Sequence, residues 1–127
     1  MHKKTILVID DESGFTDMVR LNLEATGEYT VLVENRGVTA MERVLQCRPD
    51  LILLDVILPD VEGPDIVRQI RDHAQTKDIP VIFLTATVTC QEVKEQRGYI
   101  GGHRFLAKPG TVNELMDSIK SELLQFP

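Results

Sequence analysis

Short apolar runs alternate along this chain with longer segments in which apolar residues recur every three or four positions. Runs of the first kind have the length of strands buried on both faces of a parallel sheet, whereas the second spacing is typical of helices. The pattern therefore predicts a parallel α/β sheet with helices on both faces, joined by right-handed crossovers. The predicted strands are 5–9, 29–33, 51–54, 80–84 and 104–107.

A helix is predicted after each strand, so the unit is strand and helix repeated five times. The segment 88–97 is the poorest in apolar residues, with only Cys90 and Val93 between its ends, and it predicts a short or mobile fourth helix. The apolar positions that define the other helices are Phe15, Met18, Val19 and Leu23; Val38, Met41, Val44 and Leu45; Ile66, Val67 and Ile70; and Val112, Leu115, Met116, Ile119 and Leu123.

Length and charge narrow the class of protein. The 127 residues suit a single domain over 1–127, and the net charge of −6 argues against direct nucleic-acid binding, which needs a basic face. Cys47 and Cys90 stand in different segments and form neither a metal-binding spacing nor a disulfide framework. Because no long apolar stretch occurs, we expect no membrane segment and a cytoplasmic location.

Polar residues follow four of the five predicted strands directly. They are Asp10 and Asp11, Asp55, Thr85 and Lys108. Parallel strands place their carboxyl ends at one edge of the sheet, so these side chains are predicted to meet there. Three crowded carboxylates repel one another and suit a hard cation such as Mg²⁺, beside a lysine and a phosphoryl group. Asp55 alone is open to three interpretations, namely a nucleophile, a metal ligand or a helix cap.

The same positions form four segments whose order and spacing match a known family. They are Val8-Ile9-Asp10-Asp11, Leu53-Leu54-Asp55 followed by Pro59 and Gly63, Leu84-Thr85-Ala86, and Phe105-Leu106-Ala107-Lys108-Pro109. The whole chain thereby resembles the receiver domain of a bacterial-type two-component response regulator. The resemblance implies a single-domain (βα)5 flavodoxin-like fold, a doubly wound, five-stranded parallel sheet of order 2-1-3-4-5 in three α/β/α layers.

The resemblance also implies a role for each residue at the predicted site. Asp55 matches the phospho-acceptor, and Lys108 matches the lysine that pairs with the phosphoryl group. Asp11 matches a direct Mg²⁺ ligand, Asp10 a carboxylate that acts largely through water, and Ile57 a ligand through its backbone carbonyl. Mg²⁺ is therefore the implied cofactor.

Two further residues match the switch of the family, and a third matches a special peptide bond. Thr85 corresponds to the hydroxyl that turns towards the phosphoryl oxygen, and Phe105 to the aromatic ring that changes rotamer with it. Pro109 corresponds to the family proline that follows a cis peptide bond. The implied consequence is a two-state equilibrium that phosphorylation biases.

The implied reaction is phosphoryl transfer from a phosphohistidine of a sensor histidine kinase or a histidine phosphotransfer protein to Asp55. The domain would assist its own phosphorylation and dephosphorylation without being an enzyme for a free metabolite. His2, His73 and His103 belong to no cluster and are interpreted as surface residues. A downstream output protein or domain is an expected partner, and the chain is expected to be a monomer or a phosphorylation-dependent dimer.

Some positions depart from the family pattern or lie where it varies. Ile57 and Thr87 occupy positions at which the family varies its residues to change the dephosphorylation rate. His103-Arg104 stand before Phe105, where the family usually has small or acidic residues, and Gly110 stands after Pro109, where it often has an aromatic or bulky residue.

Three alternatives remain beside the phospho-accepting receiver. An aspartate-based phosphohydrolase would carry a second acid two residues after Asp55, where Ile57 stands. A flavin or nucleotide-binding module would carry a glycine-rich or hydroxyl-rich phosphate loop after the first strand, where the acidic run 10–12 stands. The third is a receiver used only for phosphorylation-independent protein interaction.

Overall fold

The computed structural model describes residues 3–85, 99–100, 103–108 and 111–125. The predicted helix at 88–97, and Ala86, Thr87, Pro109 and Gly110, lie outside the described residues. The elements are β1 (Lys4–Ile9), α1 (Ser13–Ala25), β2 (Tyr29–Glu34), α2 (Ala40–Cys47), β3 (Leu51–Asp55), α3 (Gly63–Asp72), β4 (Val81–Thr85), β5 (Tyr99–Ile100), β6 (His103–Ala107) and α4 (Val112–Gln125).

The strands form one sheet in the order β2-β1-β3-β4-β6-β5. The first five are parallel, and β1 lies between β2 and β3, with Leu7 opposite both Leu32 and Ile52. Counted without β5, the parallel strands have the order 2-1-3-4-5, which confirms the predicted flavodoxin-like topology. The added strand β5 is only two residues long and pairs antiparallel with β6 at the sheet edge. A pairing this short leaves no periodic pattern in a sequence.

Hydrophobic cores lie on both faces of the sheet. Successive residues of a strand point to opposite faces, so Ile6 and Val8 join one core while Leu7 and Ile9 join the other. The first core is covered by α1 and α4, and the second by α2 and α3. These four β1 side chains have no exposed surface. Each stabilises the fold by about 1.5–3 kcal/mol relative to an exposed position, which explains why β1 reads as an unbroken apolar run.

The four described helices bury or partly bury all the predicted apolar positions except one. In α3, for example, Ile66, Val67 and Ile70 are all buried beneath the helix. The prediction was wrong for Val38, which is 60% exposed, because α2 begins only at Ala40 and turns Ala40 and Val44 inward. Among the described helices, none is both long and apolar enough to cross a membrane.

Candidate functional site

The carboxyl ends of β1, β3, β4 and β6 meet at one edge of the sheet. Asp55 ends β3 opposite Leu84, and Thr85 ends β4 opposite Ala107. Backbone hydrogen bonds continue this alignment past the strands, since the N–H of Lys108 donates to the carbonyl of Thr85 at 2.7 Å. The strand pairing itself therefore brings the predicted site residues to the same edge.

Three carboxylates are clustered at this edge. One oxygen from each of Asp10, Asp11 and Asp55 can be chosen so that all three lie within 4.8 Å of one another. Asp10 has no exposed surface, Asp55 is 6% exposed, and Asp11 is exposed. The cluster is therefore largely buried in the protein but open on the side of Asp11.

Lys108 follows β6, the outermost parallel strand on its side of the sheet, and its side chain reaches the carboxylates that follow β1 and end β3. Its Nζ lies 2.7 Å from Oδ2 of Asp10, 2.8 Å from Oε1 of Glu12 and 3.4 Å from Oδ2 of Asp55. The same ammonium lies 4.6 Å from the centroid of the Phe15 ring, at the distance of a cation–π contact. One lysine is thus shared among three acids, and Asp55 has the longest contact.

This unequal sharing is reflected in the pKa values. Burial, and then the negative charge of Asp10, raises the pKa of Asp55, and the Ile57 N–H and Lys108 offset only part of the shift. For Lys108, burial alone would lower the pKa, but hydrogen bonds to Asp10 and Glu12 raise it instead. The site therefore keeps a firmly protonated lysine and an excess of negative charge.

The donor set at the edge fits a hard divalent cation. All the side-chain donors of the cluster are carboxylate oxygens, which Mg²⁺ prefers, and one ammonium does not neutralise them. The loop after β3 lies beside these carboxylates, because the backbone N–H of Ile57 donates to Oδ1 of Asp55 at 3.2 Å. The residues present are thus compatible with the predicted metal site.

Gly63 closes the loop 56–62 immediately behind Asp55. Its N–H donates to the carbonyl of Val56 at 2.8 Å. A Cβ atom at this position would lie 2.7 Å from the backbone oxygen of Asp55 and 2.9 Å from the Cα of Val56. Only glycine lets α3 begin this close to the end of β3, which gives the Gly63 of the sequence pattern a steric reason.

Both predicted switch residues lie on strands that end at this edge of the sheet. Thr85 is 2% exposed at the end of β4. Phe105 on β6 is half-buried, and its ring stacks on that of Phe83, with the centroids 5.0 Å apart and the planes at 29°. The parallel register places Phe83 directly opposite Phe105, two residues before Thr85.

The sequence reasoning missed three contacts of the site. Glu12 binds Lys108, and its signal was present, because it continues the acidic run of Asp10 and Asp11. Asn35 donates from Nδ2 to the backbone carbonyl of Asp10 at 2.6 Å, and Phe15 lies beneath the Lys108 ammonium. Neither of the last two contacts has a sequence signal, because each depends on how a loop or helix is placed over the sheet.

Comparison with known proteins shows the class to which this fold and site belong. Residues 6–120 match the family described as "Response regulator receiver domain". The chain belongs to this family and is a receiver domain of two-component signalling, which confirms the interpretation of the sequence. Receiver domains are signalling domains and, in general, not enzymes in the usual sense.

Individual relatives and structures agree with this assignment. The chain is 37% identical over 118 residues to the "DNA-binding dual master transcriptional regulator RpaA" of Synechocystis, covering 93% of this chain and 48% of RpaA. It is 32% identical over 121 residues to the "Polar-differentiation response regulator DivK" of Brucella anthropi, covering 94% of this chain and 96% of DivK. The structure of the Vibrio cholerae chemotaxis protein CheY4 superposes with a TM-score of 0.80 at 26% identity, covering 95% and 99% of the two chains. The chain spans about half the length of several relatives that it matches, RpaA among them.

Proposed function

We propose that Asp55 accepts a phosphoryl group from the phosphohistidine of a sensor histidine kinase or a histidine phosphotransfer protein, with Mg²⁺ as the cofactor. The observation that carries this proposal is the cluster of Asp10, Asp11 and Asp55, in which the ammonium of Lys108 contacts Asp10 and Asp55. A buried carboxylate beside a lysine and further acids has the parts that an aspartyl-phosphate chemistry needs.

In the proposed step, a carboxylate oxygen of Asp55 attacks the phosphorus atom of the donor. A P–O bond forms and the P–N bond breaks, so the electron pair returns to the imidazole nitrogen, which takes up a proton. Lys108 stabilises negative charge on the phosphoryl oxygens, because its raised pKa keeps it protonated throughout. A cation held by the carboxylates would supply further positive charge to offset the negative charge of the phosphoryl group. Water later hydrolyses the acyl phosphate and returns Asp55 to its resting state.

The residues that would hold Mg²⁺ are the carboxylates of Asp11 and Asp55 and the backbone carbonyl of Ile57, with Asp10 acting through water. Support comes from the oxygen donor set and from the exposed side of the cluster at Asp11, where hydrated ions can enter. Magnesium commonly keeps several of its waters, so a half-open site suits it better than a closed cage.

The proposed response to phosphorylation involves Thr85 and Phe105. The added group brings negative charge and acceptor oxygens to the edge where β4 ends. The hydroxyl of Thr85 then turns towards a phosphoryl oxygen, and Phe105 changes rotamer in the space this vacates. The half-buried position of Phe105 supports the second step, since a fully packed ring would have no alternative position.

Partners and context follow from the same proposal. Since RpaA is about twice as long as this chain, an output domain or a separate output protein is proposed as the downstream partner. A single domain over 1–127, a cytoplasmic location, the absence of direct nucleic-acid binding, and a monomer or phosphorylation-dependent dimer stay predictions from the sequence.

Intact mass spectrometry after incubation with Mg²⁺ and acetyl phosphate tests the acceptor. We expect wild type to gain one phosphoryl group, about 80 Da, and Asp55→Asn to gain nothing. Asp65→Asn is the matched control, because Asp65 is an acid at the start of α3 whose side chain pairs with Arg68. An adduct in Asp55→Asn would place the acceptor elsewhere. If the wild type gained no phosphoryl group and also failed to bind beryllofluoride, the chain would be a phosphorylation-independent interaction module.

A further inference from the structure

The loop 56–62, which follows β3, is tied to the loop before α2 by one side chain. The carboxylate of Asp60 accepts hydrogen bonds from two consecutive backbone N–H groups. Gly37 donates to Oδ1 at 3.1 Å, and Val38 donates to Oδ2 at 2.9 Å. We call this pair of contacts the Asp60 clamp. The two loops it joins are more than twenty residues apart in the sequence.

Gly37 is shaped to receive this carboxylate. A Cβ atom at Gly37 would lie 2.7 Å from Oδ1 of Asp60, 3.0 Å from Cβ of Val61 and 3.2 Å from Cδ1 of Leu58. Any side chain at position 37 would therefore push the carboxylate away from the two N–H groups. In agreement with the geometry, hydrogen bonds from Val38 and Gly37 hold the pKa of Asp60 below its usual value.

The remainder of the loop 56–62 is fixed mainly at its base. Gly63 bonds back to Val56, and Ile57 forms an isolated antiparallel bridge with Glu62. The side chain of Ile57 is 59% exposed and adds little packing of its own. Beyond the base, the loop is held by the buried side chain of Leu58, by the partly buried side chain of Val61, which packs against the same core, and by the Asp60 clamp.

The other side of the clamp is anchored firmly. The carbonyl of Gly37 accepts the N–H of Ala40 at 3.1 Å, at the start of α2. Ala40 and Val44 are fully buried against the sheet, so α2 provides a fixed support. The clamp thus connects a well-packed helix to the loop that carries Ile57.

We propose that Asp60 is a positioning residue for the cation site, which holds the backbone of Ile57 in place beside Asp55 without itself contacting the metal. The inference rests on the proposed function, in which the Ile57 carbonyl is a Mg²⁺ ligand. Groups that orient a ligand contribute to metal affinity because the unbound site otherwise loses conformational freedom when the metal binds. The same loop also presents the Ile57 N–H to Asp55.

Mg²⁺ affinity, measured by isothermal titration calorimetry at constant ionic strength, tests the proposal with two variants. Asp60→Asn removes the charge and one acceptor, whereas Gly37→Ala displaces the carboxylate and leaves the charge unchanged. We expect each to weaken Mg²⁺ binding about tenfold, as for other groups that orient a metal ligand. The control is Asp65→Asn, which removes a nearby exposed carboxylate that makes no backbone contact across the loops. It should change the affinity less than about twofold, as expected for a screened surface charge.

The double variant separates the clamp from two unrelated effects. Because both substitutions break the same contact, Asp60→Asn with Gly37→Ala should bind Mg²⁺ no more weakly than the poorer single variant. Fully additive losses would overturn the proposal, as would single variants with wild-type affinity. Should Gly37→Ala fail to fold, the comparison of Asp60→Asn with Asp65→Asn carries the test.

Amide hydrogen exchange gives a readout that needs no metal. In EDTA, the N–H groups of Gly37 and Val38 should exchange faster in Asp60→Asn than in wild type, and unchanged protection would contradict the clamp. A wild type that binds no Mg²⁺ would overturn the proposed cation site and this inference together. A wild type that binds Mg²⁺ as tightly as its clamp variants do would overturn only the inference.

Discussion

The Nζ of Lys108 lies 2.7 Å from Oδ2 of Asp10, a carboxylate without exposed surface. The two residues follow β6 and β1, between which β3 and β4 lie in the sheet. The lysine side chain therefore crosses the edge of two intervening strands and passes the end of β3, where Asp55 stands. This ion pair holds the ammonium over the proposed phospho-acceptor before any phosphoryl group arrives.

Replacing Lys108 by methionine should destabilise the metal-free protein. The substitution removes the ammonium from the buried side chain of Asp10, which still accepts the backbone N–H of Glu12 at 2.9 Å. Breaking one side of a buried pair costs about 3–5 kcal/mol, and we expect the lower end because Glu12 is exposed. Urea unfolding in EDTA measures the loss, and Mg²⁺ should recover part of it. Lys120→Met, at an exposed position of α4, is the control. An unchanged unfolding midpoint for Lys108→Met would contradict the assigned pairing.

Replacing Asp55 by asparagine should have the opposite effect on stability. Asparagine keeps the shape and can still accept the Ile57 N–H, but it removes a buried charge that Asp10 repels. We expect the melting temperature in EDTA to rise by a few degrees, with a smaller gap once Mg²⁺ stabilises wild type. Circular dichroism melts of both proteins, with Asp65→Asn as the control, give the comparison. A lower melting temperature for Asp55→Asn in EDTA would show that Asp55 is not repelled.

The pH dependence of that stability difference has a definite sign. Because the pKa of Asp55 is raised in the folded state, the native protein binds this proton more tightly than the unfolded chain does. The penalty of ionising Asp55 is absent below the unfolded pKa, about 3.9. It grows as the pH rises and is complete above the folded pKa. The stability gap between Asp55→Asn and wild type in EDTA should therefore widen from low pH to a plateau. A gap that narrows as the pH rises would reverse the assignment.

Arg104 of β6 and Glu122 of α4 offer a test of a buried ion pair away from the cluster. Nε of Arg104 lies 2.7 Å from Oε1 of Glu122, and the side chains are 16% and 6% exposed. We expect Arg104→Met to cost about 3 kcal/mol because it removes the cation that faces a buried carboxylate, and the double variant with Glu122→Leu to cost less. Urea unfolding measures both.

The exposed pair of Arg68 and Asp65 is the matched control for this comparison. Arg68→Met should change the unfolding free energy by less than about 1 kcal/mol. A double variant at Arg104 and Glu122 that is less stable than Arg104→Met alone would contradict this prediction. It would mean that Glu122 stabilises the fold even without Arg104.

The ring contact between Phe83 and Phe105 should change when the site is loaded. The proposed switch moves Phe105, which would end the stacking at 5.0 Å. In protein labelled with fluorophenylalanine, the Phe105 resonance should shift on addition of Mg²⁺ and beryllofluoride. The same addition to Thr85→Ala should leave it largely in place. A Phe105 signal that does not respond in wild type would contradict its role in the switch.

The sequence by itself determined the order along the chain of the five parallel strands and the place of the site, but not the short strand β5. The unbroken apolar runs of β1 and β3 can be satisfied only by a sheet covered on both faces, and parallel strands bring their carboxyl ends together. The convergence of Asp10, Asp55 and Lys108 follows from those facts alone. Hydrophobic periodicity records which positions are buried, and a sheet of this kind leaves few ways to bury them.

Only the tertiary structure decided which polar groups contact one another. Periodicity does not state that Glu12 shares Lys108, that Val38 lies outside α2, or that Gly37 receives the carboxylate of Asp60. These features belong to loops and to the ends of elements. Short polar loops carry no repeating pattern from which their paths can be derived. Their geometry is set by where the packed strands and helices leave the loop ends, so it emerges only once the whole fold has formed.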